Sequence, residues 1–390
     1  MSGQQSVLRI GVIGVGGMGA QHARNIVAHV PELKLAAVCD SDAAQAEKVG
    51  RELGVPHFAS HGELIASGLC DAALVATPHP LHAPIAVECF GAGMHVLSEK
   101  PLAESVSAAD AMLAAAAEAG RVLGVMYQMR FIPACRRAIQ IVRAGELGEL
   151  LRATLIAPDY RSQAYYDAGK WRATWVGEGG GVLLNQSPHI TDLFLSLTGL
   201  PAWVQGFTAA AMHDIEVEDC AQALLRFAGG GFGYLYCSTI EPGPAQSIEV
   251  YGDRGKIIYR DGAVKHYRFK RPVREFTKNN TEMWGKLECE EVPLAVEGQS
   301  GGGHVDVMRN FARHILAGEE LVCDGRSAAA QVELANAIIY SGRTGKPVDL
   351  PLDRRAYDEL LADLRKGSRY AGKADQGKRI TDPGFLKKKA

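Results

Sequence analysis

No two of the eight cysteines in this 390-residue chain stand in C-x-x-C spacing; they fall singly at 39, 70, 89, 135, 220, 237, 289 and 323. That spacing excludes a zinc ribbon and a thioredoxin-type redox motif. In a chain this long the thiols read as small buried hydrophobes in a reducing compartment. Charge of one sign is also missing: 42 Lys and Arg against 44 Asp and Glu leave a net charge of −2. No broad field marks nucleic acid or a membrane surface as partner, and the basic end "LKKKA" (386–390) reads as a local, solvated terminus. No apolar run is long enough to span a bilayer. "MSGQQSVLRIGVIG" runs into a first strand without a secretory pattern. These absences predict a cytoplasmic protein.

What is present is an ordinary globular composition, 47% hydrophobic and 22% charged. The length predicts two domains, because single cores rarely grow so far. From Leu8 to about Met126, strand-like runs ("LRIGVI", "LKLAAVC", "AALVAT", "MHVLS", "RVLGVM") alternate with helical stretches near 17–29, 42–53, 80–91 and 104–119. Such alternation predicts a doubly wound α/β domain on a parallel sheet.

The first strand-to-helix turn is "GVGGMG", with Gly14, Gly16 and Gly19 in G-x-G-x-x-G order. The glycines allow a tight turn, close approach of a pyrophosphate and close helix–strand packing. Gly17 and Met18 open the helix, whose free N–H groups face the diphosphate. Asp40 ends the next strand, where its carboxylate would accept from ribose hydroxyls and repel a 2′-phosphate, so NAD is favoured over NADP. The alternative is a plain turn with a capping aspartate.

Two further loops should face the same crevice, since ligands in such sheets lie beyond the carboxyl ends of strands. One is "ATPHPLH" (76–82), with Thr77, Pro78 and His82. His79 and His82 lack a third ligand, so no metal is predicted. The other is "SEKPL" (98–102), where the following proline extends Lys100 off the strand end. Beside a cationic nicotinamide its ammonium would be disfavoured, bringing it toward acid–base range. "LLNQSPHITD" (183–192) sets Asn185, Gln186, Ser187, His189 and Asp192 in an otherwise apolar helix. On these residues alone, His189 is either a satisfied core histidine or a proton-transfer group.

Together these pieces resemble the Gfo/Idh/MocA oxidoreductase family. The matching stretches are "GVIGVGGMGAQHARNI", "ATPHPLHAPIAVECFGAGMHVLSEKPLAESVSAAD", "GVMYQMRFIPACRRA" and "GGGVLLNQSPHITDLFLSLTG". The resemblance implies a Rossmann domain (1–128) and an α+β domain (129–390) carrying an open, mostly antiparallel sheet, substrate contacts and an interface for a homodimer or homotetramer. Strand-like segments from "LRATLIAP" to "GKIIYR", divided by turns such as "YGDRG", independently support that second sheet, and helices are predicted near 304–317, 326–341 and 354–366. The resemblance also assigns Lys100 and His189 as the catalytic pair, with Glu99, Gln128, Trp171 and Arg172 at the cofactor and Arg130 at nicotinamide or substrate. Asn185 stands where many sugar and inositol dehydrogenases of the family have an aspartate. An amide orients a hydroxyl but takes no proton, so the relay falls to Lys100 and His189.

Asp192 is expected to orient the imidazole or bind substrate. The stretch "DYRSQAYYDAGKWRATWVGEGGG" (159–181) is expected to close over the pocket, with Tyr160 and Arg161 facing a carbohydrate, and His304 is a further pocket candidate. The resulting expectation is an NAD-dependent dehydrogenase of a sugar, cyclitol or glycoside alcohol. The alternatives are a glycosidase that oxidises C3 transiently, eliminates, adds water and returns the hydride, on neutral or acidic sugars, and an NAD-binding sensor, which the retained Lys100 and His189 disfavour.

Overall fold

The computed structural model describes residues 7–243, 246–296 and 301–372; the basic tail at 386–390 lies outside them. Six strands form the first sheet: β1 (Leu8–Ile13), β2 (Leu33–Cys39), β3 (His57–Phe58), β4 (Ala72–Val75), β5 (His95–Ser98) and β6 (Leu123–Val125). Their order is β3-β2-β1-β4-β5-β6 and every pairing is parallel. Helices α1 (Gly17–His29), α2 (Ala43–Leu53), α3 (His61–Ala66), α4 (His82–Gly91) and α5 (Val106–Ala119) alternate with them. All four residues of β4 are buried, as a central strand covered on both faces requires. Strand order reverses between β1 and β4, which opens a crevice beyond their carboxyl ends.

Helix α6 (Pro133–Arg143) leads out to nine strands: β7 (Leu150–Pro158), β8 (Trp203–Ala209), β9 (Cys220–Arg226), β10 (Phe232–Ser238), β11 (Ser247–Gly252), β12 (Gly255–Arg260), β13 (Ala263–Phe269), β14 (Cys289–Val292) and β15 (Val348–Asp349). They lie in the order β14-β13-β12-β11-β7-β10-β9-β8-β15. Only β7 and β10 run parallel; the other neighbours are antiparallel. The remaining helices are α7 (Gln163–Asp167), α8 (Pro188–Thr198), α9 (Val273–Asn279), α10 (His304–Ala317), α11 (Gly325–Thr344) and α12 (Arg354–Lys366). Burial alternates along β9, so one face is packed and the other open. Phe207, Leu224 and Phe232 share the open face and are 54%, 51% and 63% exposed.

Two details differ from the sequence reading. The stretch 183–192 is not one helix: α8 starts at Pro188, with Ser187 preceding it. Proline has no N–H to give and suits the first helical position, so Asn185 sits in the turn ahead of α8. The sheets change between Val125 and Leu150, but the chain also crosses back. Val307, Met308, Phe311 and Ala312 of α10 are buried with Leu8, Ile10, Val12 and Leu35 of the first sheet. Arg313 of the same helix pairs with Glu32 at 2.7 Å.

Candidate active site

The crevice begins at the glycine turn. Gly14 has φ of +86°, and a Cβ there would meet Ala76 O at 2.7 Å; at Gly19 it would lie 1.7 Å from Gly14 O. No side chain caps the N-terminus of α1 and its first turn holds no acid. The main chain therefore offers uncapped N–H groups at the positive end of a helix dipole, the donor set a diphosphate needs. Asp40 is partly exposed beside this turn; its two oxygens accept from Val15 N at 3.0 Å and Asp42 N at 2.9 Å. It thus braces the turn while keeping a face to solvent.

The loops after β4 and β5 lean on each other through His82. Its ring nitrogens lie 2.9 Å from Pro101 O and from Thr77 O, and the side chain is fully buried. His82 is a strut between two loops. Thr77 and Pro78 stay partly exposed on the first of these loops. Glu99 is held beneath Lys100. Its Oε1 meets His22 Nε2 at 2.6 Å, and Oε2 accepts from Lys100 N at 3.0 Å. Burial pushes the Glu99 carboxyl up, but His22, His304 and Lys100 outweigh it and hold it below the usual carboxylate range.

His304, at the start of α10, packs edge-on against His22 with ring centroids 4.9 Å apart. Burial takes its imidazole down to about 4. The two imidazoles and Glu99 converge within 4.8 Å. The carboxylate is already shared between His22 and the Lys100 amide, with His304 packed against the His22 ring.

Lys100 reaches across the crevice, where its Nζ donates to Asn185 O at 2.9 Å. Burial lowers its ammonium from the usual lysine value; Glu99 and Glu178 oppose that, while Arg172 and Arg161 add to it. His189, the second residue of α8, is partly exposed. Gln128 Nε2 donates toward His189 Nε2 at 3.4 Å, and Tyr127 packs edge-on against the ring at 6.0 Å. Burial, then the charge of Lys100, keep His189 well below the ordinary histidine value, so it is neutral at pH 7. Four buried polar atoms around these loops have no hydrogen-bond partner: Thr77 Oγ1, Gln128 Oε1, Gln186 Oε1 and His189 Nδ1. Buried polar atoms are rarely left so.

Arg130 and Asp192 face each other. Arg130 Nε and Nη2 donate to the two Asp192 oxygens at 2.8 and 2.5 Å, and Nη1 to Ser327 Oγ and Val322 O. Burial alone would lower the Arg130 guanidinium; Asp192 overrides it and raises it. With both side chains at most 5% exposed, the pair is a buried rivet between the segment after β6 and α8. Neither residue has a face left for substrate.

The stretch 159–181 is pinned rather than loose. Tyr166 OH pairs with Thr239 Oγ1 at 2.7 Å, and His213 bridges Asp219 and Arg161 O at 2.9 Å each. Arg161 is held by Asp159 at 2.7 Å, and Tyr160 is 51% exposed. Arg172 stacks 4.4 Å over Tyr165 and 4.6 Å over Trp171, and Trp171 packs edge-on against His79. Gly181 admits the segment that leads into β9: a Cβ there would lie 1.9 Å from Glu218 O. Glu218 Oε1 accepts from Gly181 N and Leu183 N. Two side chains that no motif announced thus organise this wall, Glu178 and Glu218, with His79 of the "ATPHPLH" loop against it. The one signal was an acid inside the glycine run "GEGGG".

A parallel 321456 sheet with a glycine turn, joined to an open mixed sheet, defines a dinucleotide-binding oxidoreductase architecture. Residues 8–127 match the GFO_IDH_MocA description, an oxidoreductase family with an NAD-binding Rossmann fold, and residues 135–258 match the GFO/IDH/MocA C-terminal domain. The inositol 2-dehydrogenase of Rubrobacter xylanophilus is 30% identical over 262 residues, 66% of this chain and 72% of that one. The scyllo-inositol 2-dehydrogenase (NAD(+)) of Bacillus subtilis is 26% identical over 90% of this chain and 98% of its own. Among solved structures, the WlbA dehydrogenase of Bordetella pertussis, in complex with NADH and UDP-GlcNAcA, superposes with a TM-score of 0.76 at 28% identity, covering 89% of this chain and all of that one. The chain belongs to the GFO/IDH/MocA oxidoreductase family. It is an NAD-dependent dehydrogenase-family enzyme, and its first sheet is the NAD(H)-binding fold. Among the described residues, no helix is long and apolar enough to cross a membrane.

Proposed function

We propose that the chain oxidises a secondary hydroxyl of a sugar, cyclitol or glycoside, with residues 1–128 holding NAD and residues 129–390 the substrate. The observation that carries this reading is the bond of Lys100 Nζ to Asn185 O, which draws an ammonium from the nucleotide half against the turn leading to His189. NAD+ when bound accepts the hydride released from the carbinol carbon. Neutral His189 takes the hydroxyl proton on an imidazole nitrogen that burial and Lys100 keep unprotonated before the substrate arrives. Lys100 donates to the same oxygen and stabilises its developing negative charge. Gly14, Gly16, Gly17, Met18 and Gly19 receive the diphosphate, and Asp40 the adenosine ribose. Thr77, Pro78, Glu99, Gln128, Trp171 and Arg172 border the nicotinamide, and Asn185, Tyr160, Arg161 and His304 the substrate side. The open face bearing Phe207, Leu224 and Phe232 is the one a second copy of the chain would cover.

The test is a panel of myo-inositol, scyllo-inositol, levoglucosan, free hexoses and aryl glucosides, assayed with added NAD. NADH formed in step with substrate loss is expected. Aglycone release without net NADH, with solvent deuterium entering C2, would replace this reading by redox-neutral glycoside cleavage. NAD binding with neither outcome would leave a sensor.

A further inference from the structure

Glu178 is a buried carboxylate to which the reaction above gives no task. It is 1% exposed. Its Oε1 accepts from the Asn185 side-chain amide, and its Oε2 from Ala173 N at 2.6 Å. Its carbonyl oxygen faces His79 Nδ1 at 3.1 Å. The Asn185 carbonyl is in turn the acceptor of Lys100 Nζ. A chain of contacts therefore runs from carboxylate to amide, through one residue's own peptide, to ammonium.

The charges around Lys100 give this chain its meaning. Glu99 and Glu178 are the carboxylates that act on it, and Arg161 and Arg172 the guanidiniums. His79, His82, His189 and His304 also feel the ammonium, and burial lowers all four, so they are neutral at pH 7. Arg161 is already paired with Asp159 at 2.7 Å. Glu99 and Glu178 therefore stand against Arg172 and Lys100 itself, and the loss of either acid leaves two cations facing one carboxylate. A buried ammonium without compensation loses its proton. Position 185, next to Lys100, carries an amide with no charge to offer, so the balancing acid has to come from another part of the chain.

We propose that Glu178 is the positioning residue of Lys100: through the Asn185 side chain it fixes the carbonyl that holds Nζ, and it places the balancing negative charge beside the ammonium. This rests on the reading of Lys100 as the donor to the reacting oxygen. The sign follows directly. A neighbouring carboxylate favours the charged lysine, so its removal lets the proton go at lower pH. A reaction that needs the ammonium then fails earlier as pH rises.

The test uses the full chain in four forms: wild type, Glu178→Gln, Glu178→Gln with Asn185→Asp, and Lys100→Met. Two quantities are followed across pH: kcat/KM with NAD and the best substrate of the panel, and the rate at which Lys100 reacts with an amine reagent, read by peptide mass spectrometry. Glu178→Gln should move the alkaline limb and the labelling midpoint down by about one pH unit. The double variant, which restores a carboxylate on the other side of the same contact, should return both toward wild type. A Glu178→Gln enzyme that loses rate equally at every pH, with its labelling midpoint unmoved, overturns the proposal and leaves Glu178 as a clamp on the 173–181 loop. Turnover that survives Lys100→Met would overturn the function reading instead, while the labelling midpoint still judges Glu178.

Discussion

The nucleotide side of the crevice is assembled from main chain, and the opposite wall from buried side chains. On the first side, Gly14 and Gly19 clear space at the glycine turn and the uncapped end of α1 supplies donors. On the second, Glu178, Glu218 and the Arg130–Asp192 pair each take up several polar groups inside a low-dielectric wall. A main-chain cradle is indifferent to titration. A wall of buried charges depends on each partner, because an ion left alone inside protein costs several kcal/mol. The contrast teaches that cofactor binding and turnover should respond differently to mutation and to pH.

The sharpest break of the comparison is at Lys100 and His189. Lys100→Met should cut kcat by about 10³-fold, and His189→Ala by about 10²-fold or more, with NAD affinity nearly unchanged in a fluorescence titration. Equal losses in NAD binding would erase the distinction between the two walls. Next comes Asp192→Asn, which leaves Arg130 buried and unpaired. Unfolding in urea should show a loss of about 3 kcal/mol or more, while KM stays near wild type; a selective rise in KM would return Asp192 to the substrate. A smaller effect is expected on the first side, where Asp40→Ala should weaken NAD binding roughly tenfold and narrow the preference over NADP. Retained discrimination would show that the turn alone selects the cofactor.

The gentlest test concerns Glu218. Burial raises its carboxyl to about 6, against the help of three main-chain amides, its own among them. A raised carboxyl binds its proton more tightly when folded, so its contribution to stability is greatest below about pH 4.5 and fades as pH climbs to about 6. Glu218→Gln should flatten that part of the Tm-against-pH curve. An unchanged slope would mean the fold does not feel this charge.

The same contrast explains what the sequence made legible. Parallel strands covered on both faces must be continuous apolar runs, so β1, β2, β4 and β5 stood out, with the glycine turn between the first two elements. The two-residue strands β3 and β15 carry no periodicity to read. The apolar residues on both sides of "NQSPH" suggested one helix, yet Pro188 starts it late, and only the folded chain shows Asn185 in the preceding turn. Arg130 and Asp192 lie 62 positions apart, and their mutual neutralisation leaves no local trace. The flanking motifs of Lys100 and His189 were enough to place both on one crevice, where Lys100 meets the turn ahead of His189. Glu178 was not, because its partners at 173, 79 and 185 meet it only after two loops have folded together.

The return of α10 bears on how the protein can be cut. A fragment ending at residue 128 would lack Val307, Met308, Phe311 and Ala312, and would bare the hydrocarbon of Leu8, Ile10 and Leu35 that they cover. The core of the first sheet is therefore completed by a segment far along the chain. Any transplant of that sheet onto another substrate half must carry the 304–317 segment along, or supply a greasy helix of the same shape.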